Sequence, residues 1–116
     1  GVGQAAKVTR VSFKVSPAKI HLGDRIELSL GLTSTAHVPQ DLLIDYIVHY
    51  VKATGRTNPK VFKWKQITLE PAGGCALKKS QVIKDFSTRK HYPGSHRIEI
   101  QINGKRLTGA KFELSN

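Results

Sequence analysis

Ile98, Ile100 and Ile102 alternate with Arg97, Glu99 and Gln101, and the run ends at once on Asn103-Gly104. A period of two puts the isoleucines on one face and the polar residues on the other, the pattern of a strand with one side in a core and one in water. Both turn residues tolerate positive φ, so a two-residue type I′ turn reverses the chain here. The return strand runs from Lys105 to Leu114 with Ala110, Phe112 and Leu114 alternating, which makes residues 96–114 a hairpin with one apolar face. Upstream, Pro93-Gly94 ends a corner that carries Arg89, Lys90, His91 and Tyr92, a segment too polar for a core. The hairpin therefore displays a basic loop.

The same periodicity recurs along the chain. Val11, Phe13 and Val15 form a first strand that Ser16-Pro17 breaks, because proline cannot donate to a ladder. Ile20 and Leu22 continue it briefly before a turn at Gly23-Asp24, and Ile26, Leu28, Leu30 and Leu32 make the cleanest strand. Thr33 to Asp41 is a polar connection. From Leu42 to Ala53 the strand is apolar on both faces, with Ile44, Tyr46, Val48 and Tyr50 on one and Leu43, Ile47 and Val51 sharing the other with Asp45 and His49. Ile47 and Val51 then mark either a docking surface or packing between outward side chains of neighbouring strands.

Ala53 to Pro59 is a turn cluster leading into Lys60-Val61-Phe62-Lys63-Trp64-Lys65. With Phe62 and Trp64 inward, Lys63 and Lys65 point out on the hairpin that also carries Arg56 and Lys60, a second basic patch. The alternative turns both rings outward as stacking platforms for bases. After the turn at Glu70 to Gly74, Cys75 to Lys84 is the weakest strand, since Leu77, Val82 and Ile83 share no single alternation. That fits a bulge or an exposed edge guarded by Lys78, Lys79 and Lys84.

No helix period occurs, and the tally is about seven strands with turns between them. The fold class is all-β, an immunoglobulin-like antiparallel β-sandwich, although the Cys, Trp, Cys hallmark of antibody domains is absent. The 116 residues are one domain: residues 1–6 read as a flexible tail and 7–116 as the sandwich. A single cysteine, Cys75, excludes an intrachain disulfide, no glycosylation sequon is present, and both points lean toward a reducing, cytoplasmic location. No apolar run approaches the roughly 20 residues a membrane span requires, and no membrane association is expected. The chain has no methionine and begins Gly1-Val2-Gly3, which reads as an excised domain or a mature processed chain.

Net charge is +11, and it is uneven. Between Tyr46 and Ile98, eleven lysines and arginines face only Glu70 and Asp85, a local excess of nine positive charges. Such a single-signed field favours nucleic acid, an anionic membrane surface or an acidic polysaccharide over the balanced surface that solubility alone requires. Chemistry is sparse beside it. No nucleophile elbow, phosphate-binding glycine loop, zinc-finger spacing or zinc-protease helix motif occurs. His91 and His96 lack cysteine or carboxylate neighbours for a metal, and His96 is expected to hydrogen-bond backbone at the corner. Asp85, Ser87 and His91 lie along one loop with no oxyanion donor in sight. Cys75 has no charged immediate neighbour and reads as an inert thiol. Neither a cofactor nor catalysis by this domain alone is expected.

Three segments taken together carry a resemblance: Leu43 to Ala53, then Gly55 to Pro59 running into Lys60-Val61-Phe62-Lys63, then Thr88 to Gly94 with His96 and Asn103-Gly104. In this order they resemble the C-terminal immunoglobulin-like domain of AlkC-type DNA alkylation-repair glycosylases, over about Val8 to Leu114. The resemblance implies a bacterial DNA-repair protein whose catalytic carboxylates sit in an N-terminal HEAT-like domain of the same polypeptide and excise N3-alkylated bases. This domain would be the monomeric, non-catalytic half that helps embrace double-stranded DNA, and none of the family's catalytic residues maps onto it. Arg56, Lys60, Lys63, Arg89 and Lys90 would contact phosphates, with His91 or Tyr92 reaching into a groove from the loop tip. The competing class is an immunoglobulin-like interaction module that binds an acidic glycan or a protein through the same patches. A third reading is a structural domain docking through Ile47 and Val51.

Overall fold

The computed structural model describes residues 4–84 and 90–115. Its described strands are β1 (Val8–Ser16), β2 (Lys19–His21), β3 (Arg25–Ser34), β4 (Gln40–Val51), β5 (Thr57–Leu69), β6 (Gly74–Val82), β7 (Gly94–Ile102) and β8 (Lys105–Ser115). They form two sheets, β1-β3-β6 and β2-β8-β7-β4-β5. The chain is thus an all-β, immunoglobulin-like sandwich. The strand beyond the expected seven is β2. After the Ser16-Pro17 break the chain crosses to the other sheet, where Ile20 pairs in parallel with Leu114; every other pairing is antiparallel.

The alternations set the core. Ile26, Leu28, Leu30 and Leu32 from one sheet pack with Ile44, Tyr46, Val48, Ile98, Ile100, Ile102, Phe112 and Leu114 from the other. Leu28, Leu42 and Ile100 have 0% exposure, and burying each such side chain stabilises by about 1.5–3 kcal/mol. The hairpin turn is as expected, with positive φ at Asn103 (52°) and Gly104 (79°). Of the residues expected to be a tail, Gln4 accepts a hydrogen bond through its carbonyl from Asn103 Nδ2 at 3.0 Å, and Ala6 packs against the core.

Two alternatives left open by the sequence are decided here. Ile47 and Val51, on the outward face of β4, are 2% and 7% exposed. Ile47 stands opposite Val61 and Glu99, and a Cβ on Gly94 would lie 3.6 Å from a Val51 methyl. Neighbours within the chain cover both residues, so they offer no docking surface. In the other case, β6 pairs with β3 from Arg25–Val82 to Thr33–Gly74 with no register shift and has no partner on its far side. It is an exposed edge without a bulge.

Candidate functional site

The turn between β4 and β5 closes through Lys52 N–H donating to Arg56 O at 2.7 Å and Gly55 N–H to Lys52 O at 2.9 Å. Gly55 adopts φ 84°, a conformation that favours glycine. Arg56 is left exposed at the tip. The segment entering β7 lies alongside: the Tyr50 and His91 rings meet edge-on at 5.2 Å, and Lys90 beside them is exposed. The end of β6 reaches the same end of the sandwich, where Ile83 N–H donates to Asp24 O and Gly23 N–H to Ile83 O, at 2.9 and 2.7 Å. One end of the molecule therefore gathers Arg56, Lys84 and Lys90 from three separate connections.

The other expected contacts distribute differently. Lys60 stands opposite Val48, on the core side of the sheet, with Nζ 5.6 Å from the Phe62 ring centroid. Lys63 stands opposite Asp45, on the outer side. The two cations leave opposite faces. A register shift between Ile44 and Asp45 then places Lys65 opposite Ile44, and the Lys65 charge acts on the Cys75 thiol of β6. Lys63 and Lys65 consequently do not share a face as strict alternation required, because the bulge interrupts it. Phe62 and Trp64 are half-buried and pack against the core, with the Phe62 ring stacked on Tyr46 at 5.1 Å and the Trp64 ring edge-on to Tyr46 at 6.0 Å. They are inward residues rather than stacking platforms.

His91 differs most from expectation. It is 9% exposed and lies in a file of rings, 5.2 Å from Tyr50 and 6.4 Å from His96, which in turn stacks on Phe112 at 5.1 Å. A ring held there packs against its neighbours instead of projecting into solvent. Tyr92 is half-buried. Arg89 lies outside the described residues, as do Asp85 and Ser87. His96 makes the expected corner bond, donating from Nδ1 to Gly94 O at 3.2 Å, while Nε2 is buried without a partner. Burial pushes its pKa down from the usual histidine value, and the Gly94 carbonyl offsets part of that.

Sequence reasoning set Lys79 on a guarded edge but missed its turn toward the core side. Cys75, Leu77, Lys79 and Gln81 oppose Leu32, Leu30, Leu28 and Ile26, so Lys79 turns toward the core side and sets Nζ 6.0 Å from the Tyr46 ring centroid. The parity of residues 75, 77, 79 and 81 carries that signal, but Val82 and Ile83 obscured it. On the outer face of the larger sheet, His49 Nε2 lies 2.6 Å from Glu99 Oε1, and Arg106 Nη1 is 3.4 Å from the same oxygen. Glu99 is thereby occupied within the sheet surface. Among the described residues no group of three or more His, Cys, Asp or Glu is arranged to hold a metal ion, and no helix is long and apolar enough to cross a membrane.

Comparison with known proteins gives a family. The profile described as "Uncharacterised protein YhaZ, C-terminal Ig-like domain" matches residues 9–116. The uncharacterized protein YhaZ of Bacillus subtilis (strain 168) is 32% identical over 114 residues, which are 98% of this chain and 31% of that protein. The solved structure of the Pseudomonas fluorescens alkylpurine DNA glycosylase AlkC, bound to DNA containing an abasic site analog, is 45% identical with a TM-score of 0.93, over 100% of this chain and 32% of that one. A β-glucosidase of Erythrobacter marinus, 19% identical with a TM-score of 0.74 over 90% of this chain and 16% of its own, shares the fold alone. The chain spans about a third of the length of the first two relatives. It belongs to the family described as the C-terminal immunoglobulin-like domain of YhaZ.

Proposed function

We propose that this domain is a non-catalytic DNA-binding accessory domain of a DNA-repair glycosylase that excises N3-alkylated bases, and that it contacts duplex phosphates through basic loops. The observation that carries the reading is the 45% identity and 0.93 TM-score over the whole chain with part of an alkylpurine DNA glycosylase bound to DNA. The charge distribution supports it independently. Arg56 and Lys90, exposed at one end of the sandwich, are suited to phosphate oxygens, which contribute affinity and orientation without reading sequence. Lys60 and Lys63 extend the basic surface along β5 on opposite faces, while His91 is buried beside Tyr50 and Tyr92 is half-buried. Arg89 belongs to the same proposal by its sequence position. Catalysis is assigned to a HEAT-like N-terminal domain of the same polypeptide, with this domain acting as a monomeric, cytoplasmic partner that needs no cofactor.

Replacing both Arg56 and Lys90 by alanine tests the loop assignment. Affinity for a short DNA duplex should fall and the slope of log K against log salt should flatten by about 2, since each lost phosphate contact removes about 0.9. Unchanged affinity and slope would remove these loops from the interface.

A further inference from the structure

The strands β5 and β6 are the edges of different sheets, and they lie on the same side of the sandwich, since Lys79 of β6 and Phe62 and Trp64 of β5 all meet the Tyr46 ring. Together they carry Lys60, Lys63, Lys65, Lys78 and Lys79 and no carboxylate. Three of these, Lys60, Lys65 and Lys79, come to the core side of the opening between the sheets. There they lie among the Tyr46, Phe62 and Trp64 rings and Cys75. The geometry points to this open side as a track for a nucleic-acid phosphate backbone, continuous with the basic end and contacted by Lys60, Lys65 and Lys79. The inference rests on the DNA-binding reading and extends it from the loops to the sheet edges.

Edge protection explains part of the pattern. Lysines on an edge strand, inward-pointing ones included, discourage pairing with other chains. It does not require cations from two edge strands, neither of which carries a carboxylate of its own, to converge on one opening, an arrangement whose self-repulsion a polyanion relieves. The rings add preorganisation. Lys60 and Lys79 hold their ammonium groups 5.6 and 6.0 Å from the Phe62 and Tyr46 ring centroids, so less side-chain freedom is lost on binding a phosphate. Lys65 lies toward Cys75 further along the same opening, which places cations in succession along the β5 direction.

The chain's one tryptophan, Trp64, and its one cysteine, Cys75, both border this opening and report on it directly. The 116-residue chain is titrated with a short DNA duplex, following DNA anisotropy, Trp64 emission and the alkylation rate of Cys75 together. Duplex binding should change Trp64 emission and slow Cys75 alkylation severalfold. The variant Lys60→Gln, Lys65→Gln, Lys79→Gln, which keeps the aliphatic stems, should bind at least tenfold more weakly at low salt, with a slope flatter by up to about 3. The Arg56→Ala, Lys90→Ala variant should also bind more weakly yet retain the Trp64 change. If DNA binds by anisotropy while Trp64 and Cys75 do not respond and the triple variant binds normally, the track is wrong and the loop reading stands. Absence of duplex binding at any salt would sink both. A Trp64 response to heparin at equal or higher affinity than to DNA would reassign the opening to an acidic glycan.

Discussion

The imidazole of His96 lies 5.1 Å from the ring of Phe112 and inclined to it by only 17°, with 0% exposure. A histidine so placed is stable in the neutral form, because charging it beneath the sheet has no compensating partner at Nε2.

The consequence is a pH dependence of stability. Burial holds the folded-state pKa of His96 below the ordinary histidine value of about 6.5, so the unfolded chain binds more protons in the window just below that value. Stability is then fully present above about pH 6.5 and is lost as pH falls through the unfolded pKa toward the lowered folded one. Thermal melts between pH 7.5 and about 5 should show a falling Tm in the native chain and a flatter profile in His96→Phe. Equal slopes in the two would show that His96 does not carry the effect.

Asn103, in the β7–β8 turn at the far end from the basic loops, ties that turn to β4 and to the segment preceding β1. Its Oδ1 accepts from Leu43 N–H at 2.8 Å, and its Nδ2 donates to Gln4 O at 3.0 Å and Asp41 O at 3.3 Å. Asn103→Ala removes these bonds and puts a less suitable residue at φ 52°, a loss of about 2–3 kcal/mol. Gly104→Ala has φ 79° but nothing within 4 Å of the new Cβ, so only backbone strain of about 1 kcal/mol remains. Denaturant unfolding should rank the two in that order.

Cys75 should react slowly. Burial pushes its thiol above the usual value, and the Lys65 charge draws it partway back. Alkylation at pH 8 should therefore be slower than for a free thiol, and slower still in Lys65→Gln, because removing the cation raises the thiol further. Faster reaction in that variant would place Lys65 elsewhere.

The hairpin through Asn103-Gly104 and the alternation of Ile26 to Leu32 were legible because a strand with one wet face writes its orientation into every second residue. What the sequence concealed depends on partners distant along the chain. Ile20 reads as a continuation of β1 until Leu114 supplies its other neighbour. Lys65 changes face only because the register shifts at Ile44 and Asp45. His91 looks like a loop-tip residue until the Tyr50 and His96 rings enclose it. The site was legible as charge rather than as shape: composition located the basic middle of the chain, and pairing determined which cations converge.

The most direct test of the DNA-binding reading is an anisotropy titration of this chain with a short DNA duplex across several salt concentrations, with heparin for comparison. Neutralisation of about four phosphates gives a slope of log K against log salt near −4, with DNA preferred over heparin. No binding even at low salt, or binding that favours heparin, would contradict it.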